Sequence, residues 1–361
     1  MHSKTILYFI LNWGLGHATR SIPVIRMLQQ VGHRVVLVST GRSLKLLQSE
    51  FPSTEYVDLP DYGIRYSRFG WALIPHLLAQ MPRIFYALLR EHHATEKLVK
   101  KYKADLIVSD NRYGCYSRHI PSFFMTHQLR FQLPKGMGWS AFISEWFNQI
   151  YFRHYKRIVV PDVAGEPNLS GDLSHKGRIS THPKLCYVGG LTSIVPQTRL
   201  SEDIDLLVLI SGPEPQRSQF EERVLEQIHD VPGKRVIIAG RPEEVFSSYF
   251  SDDSDLEIHA HLQRETMASI IQRAKVIVAR SGYSTLMELV PLNKRMILIP
   301  TPGQTEQEYL ANHLKEHYFC LVGKQTTFDI NAVLSQIQSI EKSQLNAASN
   351  QLDLILSIFM S

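Results

Sequence analysis

The chain has 361 residues, 44% hydrophobic and 20% charged, which excludes a disordered or collagen-like polypeptide and favours two domains of ordinary size. Three widely spaced cysteines, Cys115, Cys186 and Cys320, exclude a disulfide scaffold or a zinc ribbon and point to a reducing, cytoplasmic compartment. The net charge of +5 hides an asymmetry: residues 1–196 hold 24 Lys and Arg against 12 Asp and Glu, while the remainder holds 15 against 22, so the halves are expected to meet different partners.

The opening run, MHSKTILYFILNWGLGH, has no small-residue cleavage site and leads into a glycine turn, so it reads as a buried first strand. Further along the first half, Arg34–Ser39, Glu55–Leu59, Ala104–Ser109, Ser122–Thr126 and Arg157–Val160 read as strands. Between them Ser21–Val31, Arg42–Ser49 and Thr95–Tyr102 have helical spacing. No stretch reaches the roughly 18 uncharged apolar residues of a membrane span; Phe69–Leu89 is broken by Pro75, His76, Pro82 and Arg83.

An aperiodic segment rich in Gly, Ser and Thr, Gly189–Glu202, reads as the interdomain linker, dividing the chain into residues 1–195 and 196–361. The pattern then restarts: strands at Asp205–Ile210, Arg235–Ala239, Leu256–His259, Val276–Ala279 and Met296–Pro300, with helices at Arg217–His229, Arg264–Arg273, from Thr285, and at Tyr309–Glu316. Short apolar runs alternating with helices predict parallel strands buried on both faces, hence an α/β protein of two Rossmann-like, doubly wound sheets.

Two strands end in glycine turns. After the first comes Asn12-Trp13-Gly14-Leu15-Gly16-His17-Ala18-Thr19-Arg20, where Gly14 and Gly16 let backbone approach a ligand at a helix start. A dinucleotide fingerprint fails there, because Thr19 stands where the third glycine belongs. His17 falls at the carboxyl edge of the strand, where open α/β sheets bind ligands, and is read either as a general base or as a hydrogen-bonded histidine of the turn. The second turn, Ser211-Gly212-Pro213-Glu214-Pro215, offers hydroxyl and N–H groups to a phosphate, with Arg217 nearby, or is a plain structural turn.

A third strand–helix junction, Arg280-Ser281-Gly282-Tyr283-Ser284-Thr285-Leu286-Met287-Glu288, gathers small hydroxylated residues at an anion site, with Glu288 one turn beyond Ser284. It is followed by a strand and by Thr301-Pro302-Gly303-Gln304-Thr305-Glu306-Gln307-Glu308, opening a helix that continues YLANHL. This combination resembles the nucleotide-sugar site of GT-B glycosyltransferases, family 28 in particular, which includes the peptidoglycan N-acetylglucosaminyltransferase and diacylglycerol glycosyltransferases. GLGHATR resembles the acceptor-side glycine loop of the same enzymes, while Ser109–Gly114 (SDNRYG) and Thr126–Leu129 (THQL) are similar to features of a less characterised branch.

The resemblance implies a GT-B fold, two Rossmann-like domains facing across a cleft, with the last helix crossing back to the first domain. Glu288 would bind the ribose, and Ser281, Gly282, Ser284 and Thr285 the diphosphate, with Ser211 and Gly212 alongside. Gln307 and Glu308 would contact the donor sugar, and the backbone at His261 and Leu262 the base. Gly14, Gly16 and His17 would face the reacting centre. Two departures stand out: the second-half loop is Ser-Gly-Pro-Glu-Pro instead of a richer glycine run, and Glu308 replaces a common glutamine.

Asp110, Arg112 and His127 follow strands at their carboxyl edge and are candidates for the acceptor side, or for a structural ion pair and a core histidine. No metal-ligand spacing appears, so no metal is expected, and no cofactor, the nucleotide sugar being a co-substrate. Two stretches, Tyr62–Arg90 and Gly136–Arg157, interleave aromatics with arginine, which suits either core helices or peripheral contact with an anionic membrane. No nucleic-acid motif accompanies them. The expected activity is transfer of a hexosyl or N-acetylhexosaminyl group from a UDP-sugar to a hydroxyl of a glycan or lipid-linked acceptor, inverting and metal-independent. The rival readings are a nucleotide-sugar hydrolase or epimerase on the same fold, and a non-catalytic nucleotide-sugar binder.

Overall fold

Apolar runs too short for helices become strands covered on both faces, and the amphipathic segments between them become the covering helices. In the computed structural model, which describes residues 2–62, 73–131, 141–194, 197, 200–241, 248–250, 253–318, 320–338 and 351–361, this pattern gives two units. One comprises Met1–Ser193 with Ala348–Ser361, the other Ile194–Ala347.

The first unit runs β1 (Thr5–Ile10), α1 (Gly16–Gln30), β2 (Arg34–Ser39), α2 (Gly41–Glu50), β3 (Glu55–Asp58), α3 (Leu73–Tyr102), β4 (Leu106–Asp110), β5 (Ser122–Met125), α4 (Ala141–Phe152), β6 (Arg157–Val160), α5 (Asp172–His175) and β7 (Leu185–Tyr187). Its strands form a seven-stranded sheet in the order β3-β2-β1-β4-β5-β6-β7, parallel throughout. Strand order reverses between β1 and β4, so the loops leaving these two strands diverge and open a crevice at their carboxyl ends. Leu7, Phe9, Val36, Val38 and Ile107 share one core cluster; Phe124, Phe152, Tyr155 and Ile158 share another. The chain's last helix, α11 (Leu352–Met360), packs in this unit: Phe359 lies 5.0 Å, ring to ring, from Phe123 of β5.

The second unit runs β8 (Ile204–Leu209), α6 (Gln216–Leu225), β9 (Arg235–Ile238), β10 (Ser248–Phe250), β11 (Leu256–His259), α7 (Arg264–Arg273), β12 (Ala274–Ala279), α8 (Tyr283–Leu289), β13 (Arg295–Leu298), α9 (Thr305–His317), β14 (Cys320–Val322) and α10 (Ile330–Gln338). Its sheet order is β10-β11-β9-β8-β12-β13-β14, parallel except for the β10–β11 pair. Here the order reverses between β8 and β12. Leu206, Val208, Ile237, Val278 and Ile297 of the strands pack with Phe220 and Val224 of α6.

Several helices depart from the sequence pattern, α1, α3 and α6 among them. Helix α1 begins at Gly16, five residues before the expected Ser21, because its N-cap Leu15 makes no side-chain bond and no capping residue marks the start. Helix α3 starts at Leu73 and holds Pro82 within it, where only Thr95–Tyr102 was legible. Helix α6 stops at Leu225, and a short 3-10 turn at Ile228–Asp230 replaces its expected last turn.

Candidate active site

Each crevice collects part of the residues that the strand edges predict, and each holds a buried arginine that periodicity does not reveal. In the first unit, β1 feeds α1 through the glycine loop. Gly14 takes φ +71, a left-handed conformation that favours glycine, and a Cβ there would meet nothing within 4 Å. The loop is tied to the start of α2: Ser43 N–H donates to Asn12 Oδ1 at 3.1 Å, and the Ser43 hydroxyl to the Gly14 carbonyl at 3.1 Å. Early α1 thereby lies along the end of β4.

His17, Arg20 and Ser21, at i, i+3 and i+4, share one face of α1 and converge on Asp110, the last residue of β4. His17 Nδ1 lies 2.8 Å from Asp110 Oδ1, the Arg20 Nε–H donates to Oδ2 at 2.8 Å, Arg20 Nη2 donates to Oδ1, and the Ser21 hydroxyl donates to Oδ2 at 3.0 Å. Asp110 is fully buried. Burial by itself raises its carboxyl, but the charge of Arg20, then that of His17, and hydrogen bonds from both hold it well below the usual carboxylate range. An ionised carboxylate only accepts, so His17 Nδ1 carries the donated proton, and in the neutral ring the lone pair lies on Nε2. Among the described residues, Nε2 has no hydrogen-bond partner. This is the arrangement of a general base oriented by a buried acid.

His127, two residues beyond β5, reaches the same cluster: the Arg20 Nη1–H group lies 2.8 Å from its Nδ1. Arg112 does not. Its Nε–H donates to Glu91 Oε1 at 2.6 Å, and its two terminal nitrogens donate to the carbonyls of Leu59 and Pro60 at 3.0 and 2.8 Å. Of the two readings of Arg112, these contacts carry the structural ion pair. Arg65, Arg68, Trp71 and Trp139, part of the arginine–aromatic stretches, lie outside the described residues.

In the second unit the loops leaving β8, β12 and β13 meet at one edge. Gly212 takes φ +115, and a Cβ there would stand 3.4 Å from Thr301 Oγ1 and 3.9 Å from Arg280 Nε. Arg280 is buried and contacts no carboxylate among the described residues. It donates instead to the carbonyls of Ser211 (3.3 Å), Ile299 (3.0 Å) and Gln216 (3.0 Å) and to Gln325 Oε1 (2.6 Å), and lies 4.4 Å above the Phe220 ring. Burial pushes its pKa down to about 10, so at neutral pH it is still a cation. The Thr301 hydroxyl beside it is buried with no hydrogen-bond partner. An unneutralised guanidinium and an orphan hydroxyl under a glycine loop make this edge attractive to an anion. Arg217, the cation expected there, instead pairs with Glu214 (2.5 Å) and Glu221 (2.8 Å).

Around this edge Ser284 and Thr285 present half-buried hydroxyls on the first turn of α8, beside Gly282 at its N-cap. Ser281, fully buried, donates to the Gln307 carbonyl at 2.7 Å and so ties the β12 loop to α9. The Gln307 side chain is fixed in turn, accepting from Thr301 N–H at 2.8 Å and donating to Gln304 Oε1 at 2.5 Å. Glu308 is exposed on the next position of α9. Glu288 is buried and paired with Arg264, the first residue of α7, directly after the loop carrying His261 and Leu262. That pair couples the expected base-binding loop to the expected ribose carboxylate. Leu262 itself follows β11, two strands from β8 and so about 10 Å along the edge at ordinary strand spacing.

Sequence reasoning missed Arg20, Ser21, Arg280 and Thr301. The one available signal for the first two was their i+3 and i+4 spacing from His17.

Residues 217–357 match the model of the glycosyltransferase family 28 C-terminal domain, and residues 4–123 that of glycosyl transferase family 1. No curated protein sequence matches the chain. Among solved structures, the calicheamicin glycosyltransferase CalG4 is similar at 16% identity over 94% of this chain and 90% of that one, with a TM-score of 0.60. MurG of Acinetobacter baumannii is similar at 14% identity over 99% of each chain, TM-score 0.60. The spinosyn rhamnosyltransferase SpnG, solved with thymidine diphosphate, is similar at 12% identity over 99% of this chain and 91% of that one, TM-score 0.56. At such identities the structures show a shared fold, and that fold is GT-B.

Proposed function

Starting from a glycosyltransferase of the GT-B fold whose second half carries a family 28 C-terminal domain, we propose that it moves a hexosyl or N-acetylhexosaminyl group from a UDP-sugar to a hydroxyl acceptor, with inversion and without a metal. The observation that carries this reading is the His17–Asp110 pair. His17 Nε2 takes the acceptor's proton as its oxygen bonds to the sugar's anomeric carbon. The bond from that carbon to the diphosphate breaks, its electron pair leaves with the nucleoside diphosphate, and a single displacement inverts the centre. Asp110 stabilises the imidazolium that forms.

The leaving diphosphate would be met by Arg280 and by the hydroxyls of Ser284, Thr285 and Thr301, with Ser211, Gly212, Ser281 and Gly282 shaping the loops around it. Preorganised donors of this kind take the place of a metal in stabilising the departing charge. Glu288 would accept from the ribose, the loop at Leu262 would hold the base, and Gln307 and Glu308 would contact the sugar. Gly14 and Gly16 would leave room for the acceptor beside His17.

The acceptor is proposed to be lipid-linked and reached at an anionic membrane surface. No helix among the described residues is long and apolar enough to cross a membrane, so any contact through them is peripheral. Helix α3 turns Leu88 inward, yet exposes Phe85 by 57% and Tyr86 by 68%, flanked by exposed Arg83 and Arg90. Helix α4, packed on the same aromatic cluster, exposes Phe142 by 59% and Trp146 by 62%. Outward faces of this composition with arginine beside them fit an interface between water and anionic lipid, where each cation adds about 1 kcal/mol.

One assay tests these clauses: transfer from UDP-sugars to glycolipid acceptors in anionic or neutral vesicles, with and without EDTA. The expected product has the inverted anomeric configuration, EDTA leaves the rate unchanged, and anionic vesicles raise it in a salt-sensitive way that Arg83→Glu with Arg90→Glu diminishes. Retention of configuration, or loss of rate in EDTA, overturns the mechanism. Equal rates on both vesicle types remove the membrane clause.

A further inference from the structure

We infer that Arg20 is a positioning residue that decides which nitrogen carries the proton in two histidines at once, holding His17 and His127 in opposite tautomers. The catalytic consequence rests on the reading of His17 as the base; the tautomers themselves do not.

The argument is one of donors and acceptors. A guanidinium donates from five N–H groups, accepts from none and stays charged at any ordinary pH. Arg20 is buried, 1% exposed, so its bonds are made to protein groups. Toward Asp110 it presents Nε at 2.8 Å from Oδ2, and Nη2 to Oδ1. Toward His127 it presents Nη1, 2.8 Å from Nδ1.

At His127 the consequence is direct. A donor aimed at Nδ1 requires a lone pair there, so the ring's proton sits on Nε2; a proton on Nδ1 would set one N–H group against another. At His17 the consequence passes through Asp110. The guanidinium keeps that carboxylate ionised and turned so that Oδ1 also meets His17 Nδ1 at 2.8 Å. An acceptor at that distance selects the proton on Nδ1 and leaves Nε2 able to take one. A neutral residue in place of Arg20 would remove both constraints together.

Described groups from α1, β1, β4 and the segment after β5 face this cluster. From α1 come His17 and Ser21, the latter donating to Asp110 Oδ2 at 3.0 Å; β4 gives Asp110, and the segment after β5 gives His127. From β1 comes Tyr8, whose hydroxyl is pushed up first by burial and then by the charge of Asp110, so it remains protonated. Asp110 is thus shared by Arg20, His17 and Ser21, and Arg20 also serves His127.

The test is nitrogen-15 NMR of histidine-labelled full-length protein, in which two-bond couplings distinguish the protonated from the bare ring nitrogen. Loss of a signal set in His17→Gln and in His127→Gln assigns the two rings. Expected in the wild type are Nδ1–H for His17 and Nε2–H for His127. In Arg20→Lys, whose point charge keeps a cation near Asp110 without the fork, His127 becomes a mixture of tautomers. There kcat falls about 10- to 100-fold while KM for the donor stays within threefold. Nδ1–H on His127 in the wild type overturns the inference, and so do unchanged tautomers in Arg20→Lys. The wild-type spectrum decides even where an Arg20 variant fails to fold. If His17→Ala retains turnover, the reading of His17 as base falls, while the tautomer assignment is still judged by the spectrum.

Discussion

His17→Ala is expected to lower kcat by about 10²- to 10⁴-fold and to leave nucleotide affinity nearly unchanged. The side chain stands at the β1–β4 crevice of the first unit, whereas the groups proposed to hold the nucleotide all belong to the second. Losing it removes an interaction made as the acceptor oxygen attacks, so kcat and kcat/KM should fall together. Asp110→Asn offers a sharper version. An amide can present its N–H side to the imidazole and so favour the wrong tautomer, and the rate should fall even though the ring remains. Stopped assays at saturating donor, with calorimetry for nucleoside diphosphate binding, measure both. Turnover within threefold of wild type would place the base elsewhere in the cluster.

Glu91→Ala is expected to destabilise the protein by about 3–5 kcal/mol, read as a shift in urea unfolding at constant slope. Glu91 sits on the inner side of α3, 3% exposed, and accepts from Arg112 Nε at 2.6 Å, from the Tyr62 hydroxyl at 2.8 Å and from Gly114 N–H at 2.8 Å. Its removal leaves a fully buried guanidinium with carbonyl partners alone and orphans two further donors. Replacing the pair together, Glu91→Leu with Arg112→Met, should recover much of the loss, because the cost lies in an uncompensated charge. A loss below 1 kcal/mol in the single variant would contradict the structural role and return Arg112 to the acceptor site.

The sheets were legible because buried parallel strands write themselves as apolar runs, and Arg34–Ser39, Arg157–Val160 and Leu256–His259 have the bounds read from the sequence. Strands of three residues, Leu185–Tyr187 and Cys320–Val322, are too short to make such a run. Most of α3 was hidden because exposed apolar residues on its outer face erase the polar stripe by which a surface helix is recognised. His17, Asp110 and His127 were visible as candidates because polar residues at the carboxyl ends of strands have few structural reasons to be there. Arg112 was a candidate as well, but its partner was not, and Arg20 and Arg280 were hidden altogether. The partner or chain turn that buries each of the three is remote in sequence: Asp110 for Arg20, Glu91 for Arg112 and the Ser211 carbonyl for Arg280 lie 90, 21 and 69 positions away. Arg217 differs: it was placed by proximity in sequence and is turned aside by two local glutamates, Glu214 and Glu221, of its own loop and helix.

The account depends most on a nucleoside diphosphate bound at the β8–β12 edge of the second unit, with Glu288 on its ribose. Calorimetric titration of uridine diphosphate into wild type and Glu288→Ala, with circular dichroism to confirm folding, tests this directly. Saturable binding to the wild type is predicted, weakened by about 1.5–3 kcal/mol in the variant, the range for hydrogen bonds to a charged group. Equal affinity in a folded Glu288→Ala protein, or no binding of uridine or thymidine diphosphate to the wild type, would contradict it.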